Sequence, residues 1–279
     1  MADDGWTTRI NTSVPNPARI YDYLLGGKDN YPADREVAEQ VLTIAPVARD
    51  IVQDNRAFLR RVVRFLTGEA GIRQFIDLGS GLPTQGNVHE VAQAIAPDAR
   101  VVYVDNDPMV VTHARALLAG NNTLAIEGDL RKPDEIVGHP DVRELIDFDQ
   151  PLALLLMAIL HFIPDDQEPL AIMARFRDAL PPGSYLAISH GTRDIPARTD
   201  MSAEAMTEMG TRVEELYQET TAFIVTRTRE QVARFFDGYE LVDPGLVEIQ
   251  RWRPEEPSLL PGGFYGGVGR KPAGRKPAG

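Results

Sequence analysis

Cysteine is absent from the sequence. Disulfides, thiolate zinc sites, iron–sulfur clusters and thiol nucleophiles are therefore excluded, so any chemistry must use other side chains. Long apolar runs are also missing. The longest, Leu152 to Leu160, has nine residues, whereas a membrane-spanning helix needs roughly 20. This run predicts a buried strand and argues against a membrane partner.

Basic residues are fewer than acidic residues. The chain has 29 basic and 41 acidic residues, which gives a net charge of −12 at pH 7. Because nucleic-acid backbones are polyanions, this balance argues against a nucleic-acid partner. Asp3 and Asp4 stand where a signal peptide carries basic residues, and no apolar segment follows them. The sequence therefore predicts a cytoplasmic protein.

Short apolar runs alternate with helical stretches after Gly71 in this chain of 279 residues. Such alternation requires right-handed crossovers, so it predicts an α/β fold with a doubly wound, mostly parallel sheet and helices on both faces. The predicted strands are 74–78, 101–104, 123–126, 152–157 and 185–189, and the predicted helices lie near 86–95, 108–119, 134–145 and 167–179.

The region before the sheet has a different character. A short helical turn is predicted at 18–25, followed by two helices over 37–65 that separate near Pro46. Gly26 and Gly27 would allow this segment to move over a ligand. Residues 1–70 are therefore predicted to form an N-terminal helical lid.

The region after the fifth strand completes the predicted organisation. It contains helices at 203–219 and 229–236, the second opened by a capping box from Thr228 to Gln231, and then two runs that predict an antiparallel hairpin, 246–252 and 264–268. The sheet is then seven-stranded, and the main domain spans 71–270. The repeated RKPAG sequence predicts a disordered basic tail over 271–279.

The sharpest local pattern is Asp77-Leu78-Gly79-Ser80-Gly81, placed between a predicted strand and a predicted helix. Glycines let the backbone approach a ligand closely, and a helix start offers unpaired N–H groups that can bind it. A glycine pair alone, however, marks a structural turn about as often as it marks a cofactor site. Asp105 ends the next strand and Asp129 follows the third. Ligands of open parallel sheets bind at the carboxyl ends of the strands, so the three positions together predict a nucleotide site.

The loop chemistry separates two nucleotide classes. A dinucleotide fingerprint has a third glycine or alanine where this chain has Thr84, and the loop has no basic residue for a pyrophosphate. An NAD-dependent oxidoreductase is therefore disfavoured. Asp77 would repel phosphates but suits a ligand with an ammonium or sulfonium group. S-adenosylmethionine is such a ligand.

These residues also carry a resemblance. The Asp77 to Gly81 run, Asp105, Asp129 and the late helix–strand–strand ending resemble a class I S-adenosylmethionine-dependent methyltransferase with a Rossmann-like fold. More narrowly, the chain resembles an uncharacterised actinobacterial family of these enzymes in PNPARIYDYLLGGKDNYPADR (15–35), NRAFLRRVVRFL (55–66), GIRQFIDLGSGLPT (71–84), VVYVDNDP (101–108) and LLLMAILHFIPDD (154–166).

The resemblance implies a role for each matching residue. The backbone from Gly79 through Ser80 to Gly81 would line the methionine part of the cofactor, and Asp105 would bind the ribose. The adenine would be bordered by Asn106, Asp129 and Leu130, and the fourth strand would contribute Met157 and Ala158. Many members have a third glycine where this chain has Pro83. Proline fixes φ and removes one N–H donor. We therefore expect this departure to affect how the cofactor is positioned in the loop.

Candidates for the acceptor side are fewer. His161 follows the fourth strand, where a neutral imidazole would serve as a base or would only hydrogen-bond a loop. His190 follows the fifth strand and is a second candidate. Tyr21, Tyr23 and Tyr31 in the lid either shape the acceptor pocket or pack against the core. No metal-ligand spacing is recognisable, so no metal is expected.

Two functions from different classes remain open. The first is a methyltransferase that uses S-adenosylmethionine, releases S-adenosylhomocysteine, and methylates oxygen or nitrogen of a small molecule, the acceptor class being reached by elimination. The second is a non-catalytic protein that uses the same fold to bind S-adenosylmethionine or an amino-acid-like metabolite. Only the enzyme needs an acceptor pocket open to the methyl group beside His161. The sequence leaves the oligomeric state open.

Overall fold

A computed structural model describes residues 11–83, 86–117, 122–194, 202–255 and 262–273. Its eight strands form one sheet. They are β1 (Gln74–Leu78), β2 (Arg100–Asp105), β3 (Thr123–Glu127), β4 (Ala153–Met157), β5 (Tyr185–Gly191), β6 (Glu240–Leu241), β7 (Val247–Glu248) and β8 (Phe264–Arg270).

The sheet has the order β3-β2-β1-β4-β5-β8-β6, and β7 also pairs with β8. Strands β1 to β5 are parallel to one another, and β8 runs antiparallel to β5, β6 and β7. The α/β fold class and the five parallel strands are thereby confirmed. The strand number is eight rather than seven because the outer edge of β8 is shared by β6 and β7. Each of these has two residues, too few to show an alternating pattern.

Ten α-helices are found in the described residues. They are α1 (Pro17–Leu24), α2 (Pro32–Ile44), α3 (Ala48–Gly68), α4 (Val88–Ile95), α5 (Pro108–Leu117), α6 (Pro133–Val137), α7 (Pro140–Leu145), α8 (Pro169–Ala179), α9 (Ala203–Tyr217) and α10 (Arg229–Ala233). The break predicted near Pro46 separates α2 from α3. The capping box at Thr228 and Gln231 opens α10, as predicted.

Two predicted elements differ from the observed ones. The single helix expected over 134–145 is divided into α6 and α7, because Pro140 disfavours helical backbone at the residue before it. The strand expected over 246–252 is limited to β7 and continues as a 3₁₀ turn, Ile249–Arg251. Ile249 in that turn and Trp252 directly after it are buried in the same core as Phe58 of α3, and the Trp252 ring packs edge-on against the Phe58 ring.

Successive strand residues point to opposite faces of the sheet and build two cores. Ile76, Val102 and Leu154 belong to one core, which includes side chains of α6, α7, α8 and α10. Phe75, Val101 and Leu155 belong to the other, which α3 and α4 cover with residues such as Phe58 and Val88. Burial on both faces explains why these strands read as continuous apolar runs rather than alternating ones.

The N-terminal helices divide between two environments. Helices α1 and α2 and the first turns of α3 share a separate apolar cluster with Tyr217 of α9. The later turns of α3 instead pack into the sheet through Val62 and Leu66. The division between lid and main domain at residue 70 therefore falls after a helix that contacts both, and it stays a prediction.

Lys271 corrects the start of the predicted tail. Its backbone N–H donates to the Ser184 carbonyl at 2.7 Å, and its ammonium donates to the carbonyls of Arg177 and Leu180 at the end of α8. Cations are stabilised at helix C-termini in this way. Residue 271 is thus part of the folded chain, and residues 274–279 of the predicted tail lie outside the described residues.

Candidate functional site

A cavity of about 790 Å³ opens at the carboxyl ends of the parallel strands. Its size lies in the range of roughly 300–1,000 Å³ found for small-molecule sites. All ten residues predicted to bind the cofactor line it: Asp77, Gly79, Ser80, Gly81, Asp105, Asn106, Asp129, Leu130, Met157 and Ala158. These residues form what we call the motif half of the cavity.

The glycine loop is shaped by left-handed backbone. Gly79 and Gly81 both have φ near +66°. The N–H groups of Gly79 and Ser80 donate to the Val104 carbonyl at 2.8 and 3.2 Å, which ties the loop to the end of β2. A Cβ on Gly79 would lie 2.3 Å from Ile159 Cγ1, whereas one on Gly81 would meet nothing within 4 Å. Gly79 is therefore required for both conformation and space.

Asp105 organises the same corner from the end of β2. Its Oδ2 accepts the Gly81 N–H at 2.9 Å, and its Oδ1 accepts the Asp107 N–H at 3.0 Å. Burial raises the pKa of Asp105 to about 6, although these backbone bonds oppose the shift. Each carboxylate oxygen keeps a further lone pair, so the group can still accept ribose hydroxyls.

Asp77 places a buried carboxyl beside the glycine loop. Burial raises its pKa to about 7, opposed by the positive charge of Arg56 and reinforced by Asp105. Both Asp77 and Arg56 line the cavity. A ligand with an ammonium or sulfonium group would favour the ionised carboxylate here, so the site fits the charge of S-adenosylmethionine.

The adenine edge is more open. Leu130 is buried and belongs to the core beneath the sheet, while Asn106 is exposed at the cavity rim. The Asp129 carboxylate is already held by the Arg131 guanidinium, with contacts of 2.6 to 2.9 Å. Asp129 therefore lines the cavity while its carboxylate is paired with Arg131. Its role at the adenine stays a prediction.

The end of β4 brings strained backbone to the cavity. Ala158 has φ of +55°, a left-handed conformation that is unusual for a residue with a Cβ. Its N–H is held by Ser189, whose backbone carbonyl lies at 3.1 Å and whose hydroxyl lies at 2.9 Å. Such conformations persist where the surrounding structure over-determines them, and they cluster at binding sites.

His161 lies just beyond, in a 3₁₀ turn, and it lines the cavity. Burial lowers its pKa well below the usual value, and the nearby His190 and Arg227 lower it further. The ring is therefore neutral. Its Nδ1 faces the Gly191 N–H at 3.3 Å, which assigns Nδ1 as the acceptor and leaves the ring proton on Nε2. Its role as a base stays a prediction.

His190, Tyr23 and Tyr31 are not among the lining residues. His190 is fully buried in β5; its Nδ1 lies 2.7 Å from the Gly191 carbonyl, and burial lowers its pKa to about 3. The Tyr23 hydroxyl donates to Glu39 instead of facing the cavity. Tyr31 packs with Leu82 under the Arg19 guanidinium. Each side chain is thus engaged elsewhere.

Tyr21 does line the cavity, together with Asn55, a residue that the sequence suggests as a further contact to the cofactor. The Tyr21 hydroxyl donates to the Val52 carbonyl at 3.2 Å and accepts from Asn55 Nδ2 at 2.9 Å. These bonds fix the tyrosine ring against α3. Tyr21 therefore belongs to the wall between the first and third helices.

Apart from His161, the residues on the other side of the cavity were not predicted. We call this side the apolar half and define it by the lining residues of the segment 41–45, of α9 and of the segments 159–164 and 221–226. They are Val41, Ala45, Ile159, His161, Phe162, Ile163, Pro164, Met209, Gly210, Val213, Glu214, Tyr217, Thr221, Ala222, Phe223, Ile224 and Thr226. Helical spacing indicated α9 as a helix, but no sequence signal places it over the strand ends.

The described residues contain neither a group of metal ligands nor a membrane-spanning helix. No group of three or more histidine and acidic side chains could hold a metal ion there. None of the described helices is both long and apolar enough to cross a membrane.

Comparisons with known proteins agree with this architecture. A family model for S-adenosyl methyltransferases matches residues 3–272. The crystal structure of a candidate methyltransferase from Thermobifida fusca is 44% identical, and the match covers 94% of this chain and 97% of that chain with a TM-score of 0.84. A DUF574 family protein from Streptomyces avermitilis is 40% identical over 95% of this chain and 100% of its own, with a TM-score of 0.88.

More distant matches show the fold alone. The mitomycin 7-O-methyltransferase MmcR is 17% identical over 92% of this chain and 69% of its own, with a TM-score of 0.50. No curated protein matches the chain significantly. The family model spans nearly the whole sequence, and the cavity is lined by the glycine loop and by the buried carboxyls of Asp77 and Asp105. The chain belongs to the S-adenosyl methyltransferase family.

Proposed function

We propose that the protein is an active methyltransferase that transfers the methyl group of S-adenosylmethionine to an oxygen or nitrogen atom of a small molecule. The observation that supports this most directly is the single cavity whose two halves differ in chemistry. The motif half carries the predicted cofactor residues, and the apolar half adjoins it beyond Ile159. A cofactor site alone would not need the second half.

In this proposal the chain's own residues mainly bind and orient. Asp105 accepts the ribose hydroxyls, and the ionised Asp77 carboxylate attracts the cationic end of the cofactor. Gly79 and Gly81 allow the backbone of the loop to approach the cofactor closely. When bound, S-adenosylmethionine supplies an electrophilic methyl group, so the protein must mainly align the acceptor and exclude water.

A small-molecule acceptor fits the shape and charge of the protein. The walls of the apolar half are mostly aliphatic and aromatic side chains. The net charge of −12 opposes binding of a nucleic-acid chain. His161 would contact the acceptor from the turn after β4.

We also propose that residues 1–70 act as a lid on a cofactor domain that spans 71–270, and that the protein works in the cytoplasm. Lining residues from α1, α2 and α3 support the lid, because the cavity is incomplete without them.

Calorimetric titration tests the cofactor assignment. The wild-type protein should bind S-adenosylmethionine and S-adenosylhomocysteine but not NAD, and Asp105→Asn should weaken binding of the first two by roughly tenfold or more, because hydrogen bonds to a charged group are lost. Asp98→Asn, on an exposed loop, is the matched control. Absence of binding to either adenosyl compound would refute the proposal.

Turnover separates the enzyme from a non-catalytic binding protein. Labelled methyl groups should pass from S-adenosylmethionine to at least one member of a panel of hydroxylated and aminated small molecules. Tight cofactor binding without transfer to any member of a broad panel would favour the binding protein.

A further inference from the structure

Among the residues that define the apolar half there is a single charged side chain, while the charged lining residues of α1 and α3, such as Arg56, lie outside this set. Within the set, Glu214 of α9 is the only acidic residue, and no lysine or arginine is present. The surrounding walls include Val213, Phe223 and Ile224. A carboxylate among apolar walls is unfavourable unless a partner compensates it, so its presence there calls for a chemical reason.

Thr226 holds this carboxylate in place. Oε1 of Glu214 accepts the Thr226 backbone N–H at 2.9 Å and also the Thr226 hydroxyl. No hydrogen bond from the described part of the chain reaches Oε2. The side chain is therefore oriented through one oxygen, while the second remains able to accept a proton or a hydrogen bond.

Thr226 and His161 both lie beside Gly191. A Cβ built on Gly191 would lie 3.6 Å from His161 Nδ1 and 3.7 Å from Thr226 Cγ2. The Val225 N–H also donates to the His161 carbonyl at 2.7 Å. The segment that carries the Glu214 partner is thus fixed against the turn that follows β4, which is where the motif half ends.

His161 is poorly suited to take a proton at this place. Its Nδ1 accepts the Gly191 N–H, and its Nε2 carries the ring proton. The neutral imidazole therefore offers a donor rather than a free lone pair. Glu214 is the side chain of the apolar half that can accept a proton and attract a positive charge.

We propose that the methyl acceptor is an apolar molecule that carries a basic amino group, and that Glu214 is the catalytic residue that binds and deprotonates it. This inference rests on the proposed function. The ammonium gives one proton to Glu214, and the nitrogen lone pair then forms the bond to the methyl carbon. The carbon–sulfur bond breaks, its electron pair stays on sulfur, and the proton on Glu214 leaves to solvent.

The surroundings favour an amine over other acceptors. A half-buried carboxylate stabilises a cation more strongly than a neutral hydroxyl, and it repels a second anion. The walls select an apolar body because they offer few hydrogen-bond partners. The chemistry therefore indicates an arylalkyl or alkyl amine.

Three probes of matched size test the proposal: 2-phenylethylamine, 2-phenylethanol and 3-phenylpropanoate. Each is titrated into wild-type protein saturated with S-adenosylhomocysteine. The amine should bind about ten- to a hundredfold more tightly than the alcohol, as expected for a charge-assisted hydrogen bond, and the carboxylate should bind most weakly. Glu214→Gln should abolish the preference for the amine.

Glu215→Gln is the matched control, because Glu215 is the next residue of α9 and is exposed. It should keep the preference, and both variants should keep wild-type affinity for S-adenosylhomocysteine, which verifies that they are folded. Equal binding of amine and alcohol, an unchanged preference in Glu214→Gln, or no binding of any probe would overturn the inference while S-adenosylhomocysteine still binds. Loss of S-adenosylhomocysteine binding by the wild type would refute the proposed function as well.

Discussion

The two halves of the cavity are built by different rules. The motif half comes from the ends of neighbouring strands, and its residues are tied together by backbone hydrogen bonds such as those from Gly79 and Gly81. The apolar half comes from helices and connections that are distant in sequence. Its Glu214 carboxylate accepts the backbone N–H and the hydroxyl of Thr226, and this contact joins α9 to the segment 221–226.

This difference separates what the fold determines from what it leaves free. A carboxyl end of a parallel strand is a fixed place, so any chain with this sheet inherits the motif half. The apolar half depends on how α2 and α9 pack, and packing can change while the sheet stays the same. Substitutions in the two halves should therefore have separable effects.

The largest expected effect is that of Arg227→Met. The Arg227 guanidinium is buried and donates to the carbonyls of Leu160 and Ile163 at 3.1 and 2.8 Å, which holds the turn that contains His161. Two unsatisfied carbonyls cost roughly 2–6 kcal/mol of unfolding free energy. Denaturant titration should show this loss, and hydrogen exchange should increase over 158–165.

The control for this change is Arg229→Met. Arg229 lies two residues further along and is exposed, and its side chain makes one hydrogen bond within the described residues, to the Leu246 carbonyl. Its replacement should alter the unfolding free energy by about 1 kcal/mol or less. Similar losses in both variants would show that the buried contacts of Arg227 do not hold the turn.

A pair of alanine substitutions tests the rigid motif half. Gly79→Ala should destabilise the fold by roughly 2–5 kcal/mol, because left-handed backbone and overlap with Ile159 both penalise the new Cβ. Gly81→Ala has the same φ and open space, so it should cost about 1–2 kcal/mol. Adding Ile159→Ala to Gly79→Ala should recover the steric part. Equal losses of unfolding free energy in the two alanine variants would argue against the close approach of Gly79 to Ile159.

The pH dependence of cofactor binding tests Asp77. Its pKa of about 7 in the fold lies above the usual value, so the neutral acid favours folding, and this contribution is lost as pH rises towards 7. A ligand ammonium favours the carboxylate instead. Affinity for S-adenosylhomocysteine should therefore rise by up to about tenfold per pH unit from 5.5 to 7 and then level off.

Asp77→Asn supplies the comparison for that profile. The amide keeps the shape of the side chain and cannot titrate, so its binding should be nearly flat over the same range. Calorimetry at each pH measures both proteins. A parallel slope in the variant would assign the dependence to another group, for which Asp105 is the nearest candidate.

The sequence predicted the motif half because its signals are local. Asp77, the glycines and Asp105 each lie at a strand end, and strand ends can be read from apolar runs. Prediction failed where a position depends on tertiary packing. Nothing near Glu214 or Thr226 in the sequence indicates that α9 covers the sheet edge. His190 is a second example of a position that depends on tertiary packing. The strand pattern places it at the correct edge of the sheet, but its side chain packs against Phe235 and Arg227.

The smallest effect on the cofactor is expected from Val213→Phe. Val213 lines the apolar half from α9, so a larger ring should occupy acceptor space while the dissociation constant of S-adenosylhomocysteine changes by about twofold or less. Methyl transfer, or binding of an acceptor probe, should fall sharply. Arg212→Phe adds the same ring to the exposed side of α9 and should change neither. If Val213→Phe weakened cofactor binding as much as acceptor binding, the two halves would be one coupled site rather than two separable ones.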